Sequence, residues 1–393
     1  MQLLLTWPAL LWLAWWLGER AQAWGLPRVS VYVAVGLLAS VVAPSPTWVD
    51  GTVLALLAQL ALALVLFELG GRIRLAWLRA NPWVAAAAVV QGLAMWGAVA
   101  ALGAWLGWPP AQRWLLAAVA VAAAPASLLR VVSDVRAGGQ VTERVLHQAA
   151  IQSALAVVLV KAVTAYWFVS AGDGLQALLA SGYALVASVG LGVALAVLLG
   201  PLMRGVHSVG AAASTAGYAL ALLWLTVVAD ALKLSPLLAA LSLGVVLRAR
   251  LTVMPPVQRD FGVLGWVLGV FVFLYVGSRT AWPALAQAEV WWVAALVLAV
   301  RLLVPVACNM AVAWPSGTTV RKGALVGVAL WPMSVLTLLL LERSVALGVV
   351  PAAAVLQQLA AALLLTELLG PLLTQWALRW ARETAHTHPI RRE

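Results

Sequence analysis

Apolar residues run in windows of roughly 20 along almost the whole chain, the length that crosses a bilayer core as a helix. Short charged or Pro/Gly-rich breaks separate them. The windows predict helical spans at about 3–18, 29–43, 51–69, 82–107, 112–133, 142–168, 176–200, 213–231, 235–249, 260–278, 288–314, 321–341 and 351–379. The fold class is therefore an all-α polytopic membrane protein with about 13 transmembrane helices. Composition agrees. The chain has 393 residues, 64% hydrophobic and 9% charged, whereas soluble domains carry about 25% charged residues. A water-soluble fold of this length is excluded.

The charge of +11 does not point to nucleic acid, because the basic residues sit in short loops between apolar windows, where they orient a chain in its bilayer. With the N-terminus outside, eighteen of the 24 Lys and Arg fall on the inner side and four on the outer. Lys161 and Arg301 remain within spans. An even span count would scramble this asymmetry. Ala21-Gln22-Ala23 resembles a signal-peptidase site, but no basic residue precedes the apolar run and Glu19 and Arg20 follow it, so the first span is expected to be retained. A single cysteine, Cys308, excludes an internal disulfide. The four histidines fit no metal pattern. No nucleophile–base pair or phosphate loop stands out, so neither an enzyme nor a cofactor is expected.

Two prolines lie near mid-span, in Ala124-Pro125-Ala126-Ser127 and in Trp331-Pro332-Met333-Ser334. Proline removes a backbone hydrogen bond and clashes with the preceding turn. At membrane depth the freed groups are tolerated only where protein or a water-filled cavity takes them up. The two spans are seven apart in order and so run in opposite directions. Spans two to six and nine to thirteen then form two inverted five-helix repeats, and paired interruptions in such halves point to a transport site.

Ionisable groups at depth narrow the site. Arg301 is the midpoint of its span, where an arginine costs about 2.5–3.5 kcal/mol on the insertion scale. Glu367, near the middle of the last span, is either its ion-pair partner or a carboxyl group held neutral to carry protons. Lys161 lies in the outer half of the sixth span and reads as a side chain snorkelling to the interface.

Four segments carry a resemblance. They are Gly25-Leu26-Pro27 with the apolar run after it, Phe67-Glu68-Leu69 followed by Arg72, Arg74 and Arg79, Phe271 to Gly277, and Thr366-Glu367-Leu368-Leu369-Gly370-Pro371-Leu372. In order and spacing they are similar to the monovalent cation/proton antiporter superfamily, in the branch of potassium-efflux systems and sodium/proton exchangers. The resemblance implies a single transmembrane transporter domain over 1–393. Core helices would lie at about 82–168 and 288–380, with scaffold or dimerisation helices at about 1–69 and 176–278. It also implies two crossing broken helices and a homodimer, while the short tail after Trp380 predicts no soluble regulatory domain. The chain departs from the family in the sixth span. Where family members carry an acid, often as Gln-Asp, this chain has Gln152-Ser153, and no Asp or Glu occurs from Arg144 through Ser170.

A cation-for-proton cycle needs a group that alternates between negative and neutral, and neither Gln nor Ser does so near neutral pH. The expected function is exchange of Na+ or K+ for protons at a modified site. Gln152, Ser153, Ser127, Ser334 and the backbone around Ala124, Pro125, Pro332 and Met333 would bind the ion. Glu367 would carry the proton, and Arg301, with Lys161, would compensate charge. The alternatives are an anion or organic-solute transporter on the same fold and a non-transporting paralogue. The expected home is a plasma (inner) membrane, with the C-terminus cytoplasmic and no nucleic-acid partner.

Overall fold

A computed structural model describes residues 2–42, 52–169, 174–207, 211–250, 262–333 and 335–384. Ser334 and the histidines at 386 and 388 lie outside them. Among the described residues the fold is helical, with no strand. Each window read from the sequence has a helix. They are α1 (Gln2–Ala23), α2 (Arg28–Val42), α3 (Thr52–Arg72) with a short α4 (Leu75–Ala80), α5 (Pro82–Trp105), α6 (Pro110–Ala120), α7 (Pro125–Asp134) and α8 (Gln140–Thr164). After a π turn at Ala165–Val169 come α9 (Gly174–His207), α10 (Ala211–Ala231), α11 (Pro236–Arg250), α12 (Gly262–Ser278) and a single turn α13 (Trp282–Leu285). The chain then forms α14 (Ala288–Ala311), α15 (Val320–Ala329), α16 (Val335–Ala346), α17 (Val350–Gln358) and α18 (Ala360–Trp380).

Six stretches among the described residues are long and apolar enough to cross a membrane: Pro82–Trp105, Pro110–Asp134, Gln140–Trp167, Ser181–Met203, Ala288–Ala311 and Ala360–Trp380. Their outward faces are apolar too. Leu303 is 65% exposed and Val186 73%, surface that a soluble monomer rarely leaves uncovered and that lipid solvates.

The chain divides into two compact units. The first comprises Met1–Asp50, Asn81–Val163 and Phe273–Glu393, the second Gly51–Ala80 and Thr164–Val272. The first holds both interrupted helices together with α1 and α2, which the sequence reading assigns to the scaffold.

Within the second unit α11 lies between α3 and α9. Gly70 and Gly244 meet backbone to backbone, and Gly192 abuts the Ala239 carbonyl. Within the first unit α14 packs on α15 and α5. Gly323 and Gly327, one turn apart on α15, rest on the backbone of α14 at Asn309 and Val306. This small-xxx-small spacing lets membrane helices approach closely.

One end of the first unit is charged. Val141 N and Thr142 N, in the first turn of α8, donate to Glu383 Oε1 and Oε2 at 2.9 and 2.8 Å, and Lys322 Nζ is 3.9 Å from that carboxylate. A carboxylate suits a helix N-terminus because the unpaired N–H groups there carry partial positive charge. Arg28 pairs with Glu19 at 3.0 Å and with Asp134 at 3.7 Å at this same end, and Arg321 lies over the Trp380 ring.

Candidate functional site

The prolines interrupt their helices as the sequence predicts. Pro125 is the first residue of α7, after a non-helical turn at Val121–Ala124. Proline is favoured at that position because the N–H it lacks would be unpaired there anyway. The second break follows α15 at Leu330–Met333, with Val335 opening α16. Ala124, Pro125, Pro332 and Met333 are all buried.

Each break leaves carbonyl groups without their helical donors, and one side chain takes up four of them. Arg301 Nε donates to the Trp331 carbonyl at 3.1 Å, and Nη2 to those of Leu330 and Pro332 at 3.4 and 2.8 Å. Nη1 donates to the Ala120 carbonyl, across at the other break. Arg301 is 3% exposed, and its planar fork of five N–H donors spends four on backbone. Thr337 Oγ1 donates to the Val119 carbonyl at 3.2 Å, and Thr374 Oγ1 to that of Ala329 at 3.3 Å. Arg301 is thus a clasp joining the C-terminal ends of α6 and α15.

Glu367 is 2% exposed, and it does not pair with Arg301. It accepts from the Val335 backbone N–H, at the first residue of α16. Of the two roles that the sequence leaves open for Glu367, the ion pair with Arg301 is excluded by the breaks themselves. Helix C-termini are negative and N-termini positive, so the guanidinium settles on carbonyl ends and the carboxylate on an amide end. Glu367 Oε1 has no hydrogen-bond partner.

Gly370, one turn along α18, fits against the ring of Pro332. A Cβ there would lie 2.7 Å from Pro332 Cβ and Cγ, closer than side chains tolerate. Gly370→Ala is therefore expected to lower stability by about 1–3 kcal/mol, as overpacking does. A thermal midpoint in detergent, compared with that of Leu369→Ala on the exposed face, checks it.

On α8, Gln152 and Ser153 are both buried. Ser153 Oγ donates to the Ala149 carbonyl at 2.7 Å, while Gln152 Nε2 and Ser127 Oγ on α7 lack partners. Gly92 of α5 contacts both Leu155 of α8 and Val121, which sets this stretch of α8 beside the first break. Lys161 lies half-buried in the last turn of α8, two turns past Ser153.

A second polar cluster is absent from the sequence reading. Gln148 Nε2 donates to Asn309 Oδ1 at 2.7 Å, and Asn309 Nδ2 donates to Gln91 Oε1 at 2.8 Å. Three buried amides thus join α8, α14 and α5, and Gln148 Oε1 is left without a partner. The available signal was Gln148 four residues before Gln152, which places both on one face of α8. Among the described residues no group of three His, Cys, Asp or Glu could hold a metal ion.

Two structures of the sodium proton antiporter MjNhaP1 from Methanocaldococcus jannaschii share this fold. The electron-microscopy structure superposes with a TM-score of 0.74 at 16% identity, covering 98% of each chain. The structure at pH 8 gives 0.66 at 16% identity, covering 95% of each. At that identity the likeness establishes the fold alone. No curated protein sequence matches the chain. The sequence model of the transmembrane sodium/hydrogen exchanger matches residues 9–380, nearly the whole chain, and with the helical bundle and its two interrupted helices it establishes that this membrane protein belongs to the sodium/hydrogen exchanger family of cation/proton antiporters.

Proposed function

We propose that the chain exchanges a monovalent cation, Na+ or K+, for protons by alternating access, through an ion site that lacks the acid usual in the sixth span. The observation that carries this reading is Glu367, a carboxyl group buried at the opening of α16 with one oxygen unsatisfied. It can hold a proton in one half of a cycle and release it in the other, the property that Gln152 and Ser153 lack. Gln152, Ser153, Ser127 and those carbonyls around the breaks that Arg301 does not hold would supply neutral oxygens to the ion, with Ser334 beside them in sequence. Arg301 offsets the partial charges of the breaks whether or not an ion is bound. The helices at about 82–168 and 288–380 would carry the site as the moving core, and those at about 1–69 and 176–278 would serve as scaffold in a homodimer. The excess of Lys and Arg in alternate loops of the sequence supports a cytoplasmic C-terminus in a plasma (inner) membrane.

An anion or organic-solute transporter on the same fold is the competing reading. It is disfavoured because Arg301, the cation an anion would seek, already directs four donors at carbonyl groups. Proton movement in proteoliposomes, with sodium, potassium and lithium added in turn, decides between them. Cation-driven movement in the wild type is expected, and it should persist in Ser153→Asp with altered pH dependence, since that variant restores an acid to α8. Flux found only in Ser153→Asp would mean a fold that has lost its chemistry. Flux driven by anions alone would overturn the proposal.

A further inference from the structure

Glu367 has a neighbour that the exchange reading does not use. A cavity beside it is bounded at the other end by Arg279, and its walls include Val33, Leu338, Ala360 and Leu364. It lies along the first two turns of α18, towards the end of the unit opposite the charged one. The geometry points to this cavity as a private proton route, by which Glu367 exchanges protons with the far face along a path that the transported cation does not enter. The inference rests on Glu367 being the proton carrier.

Size and wall chemistry carry it. The volume open to water centres is about 30 Å³, and one water needs about 10–15 Å³, so roughly two waters fit in file. Two hydrogen-bonded waters can relay a proton, but a sodium ion with its hydration shell does not fit. A bare ion would need several oxygens at once, yet the walls are mostly aliphatic. Glu367 lines the cavity, is 2% exposed and keeps one carboxyl oxygen, Oε1, without a donor. Arg279 and Glu367 are the charged groups that line it.

The mouth adds selectivity. Arg279 Nε donates to Glu342 Oε1 at 2.6 Å, and Tyr275 OH donates to Glu342 Oε2 at 3.0 Å. Paired in this way the cluster is near neutral and offers a metal cation no net attraction, while a hydroxyl and a carboxylate remain for water to bond.

Hydrogen–deuterium exchange at the Glu367 carboxyl tests the route without requiring transport. The probe is D2O itself, read as the time-dependent infrared shift of the carboxyl band that Glu367→Gln removes. Ala360→Phe plugs the cavity and is expected to slow the shift about tenfold, a barrier change of about 1.4 kcal/mol. Leu364→Ala widens it and is expected to quicken the shift, which guards against a plugged variant that merely misfolds. Cation-driven proton flux should follow the same order, with stabilisation of the protein by added cation unchanged. Exchange indifferent to both substitutions would overturn the route even where flux shows Glu367 to be the carrier. Exchange that follows the cavity, with flux surviving Glu367→Gln, would instead overturn the carrier reading alone.

Discussion

Glu367→Gln is expected to reduce cation-driven proton movement to the level of protein-free vesicles while the protein still folds and inserts. The substitution keeps the shape of the side chain and an oxygen that can accept from the Val335 N–H, so the start of α16 keeps its cap. It removes only the capacity to gain and lose a proton. Among the described residues of the first unit no other acid lies near the breaks: α8 has none from Arg144 onward, Glu143 and Glu289 sit in the first turns of α8 and α14, Glu19, Asp134 and Glu383 cluster at the charged end, and Glu342 pairs with Arg279. Glu367→Asp should retain part of the flux, because the shorter carboxyl group still titrates but sits farther from the Val335 amide. The measurement is dye-reported proton flux in proteoliposomes, with thermal midpoints of the same preparations to show that folding is intact. Wild-type flux in a well-folded Glu367→Gln would remove this residue from the mechanism.

The spans and their interruptions were legible because they depend on local properties. Windows of apolar residues set the helices, and a proline without an N–H breaks a helix wherever it falls, so Pro125 and Pro332 located both breaks before any contact was known. Arg301 and Glu367 were legible as unusual, since charge at mid-span is costly. Their partners were not. Sequence shows the nearest opposite charge, and Glu367 was the natural choice for Arg301. The charges that each of them meets are instead the partial charges of backbone ends, which exist only once the helices have broken and crossed. The Gln91–Asn309–Gln148 chain was hidden for a related reason. Each amide is a lone polar residue in a different apolar stretch, and only the packing of α5, α8 and α14 makes them one network. Glu383 likewise caps a helix that begins some 240 residues earlier, a distance no local pattern spans.

Arg301→Ala is expected to be the most destabilising single substitution in the first unit. It withdraws donors from the carbonyls of Ala120, Leu330, Trp331 and Pro332 together. A buried carbonyl left unsatisfied costs about 1–3 kcal/mol. Water reaching the breaks would offset part of this, so a net loss of about 3 kcal/mol or more is the expectation. Arg301→Lys separates charge from geometry. Lysine keeps the positive charge against the two helix C-termini, but it has one ammonium on a flexible stem and no planar fork, and cannot reach carbonyls on both sides of the crossing at once. It should recover less than half of the lost stability. Thermal unfolding of the detergent-solubilised proteins measures both effects, and fluorescence-detected size exclusion reports whether Arg301→Ala assembles at all. If lysine restored full stability, the role of Arg301 would be that of a point charge. If alanine were as stable as the wild type, the clasp would be incidental and the breaks would be held by Thr337, Thr374 and packing. The same geometry also predicts the functional consequence. Because Arg301 is committed to the backbone and not to Glu367, a variant such as Arg301→Lys that still folds should leave proton exchange at Glu367 intact and impair mainly the positioning of the carbonyls offered to the ion. Its defect should appear as weaker apparent cation affinity at preserved maximal flux.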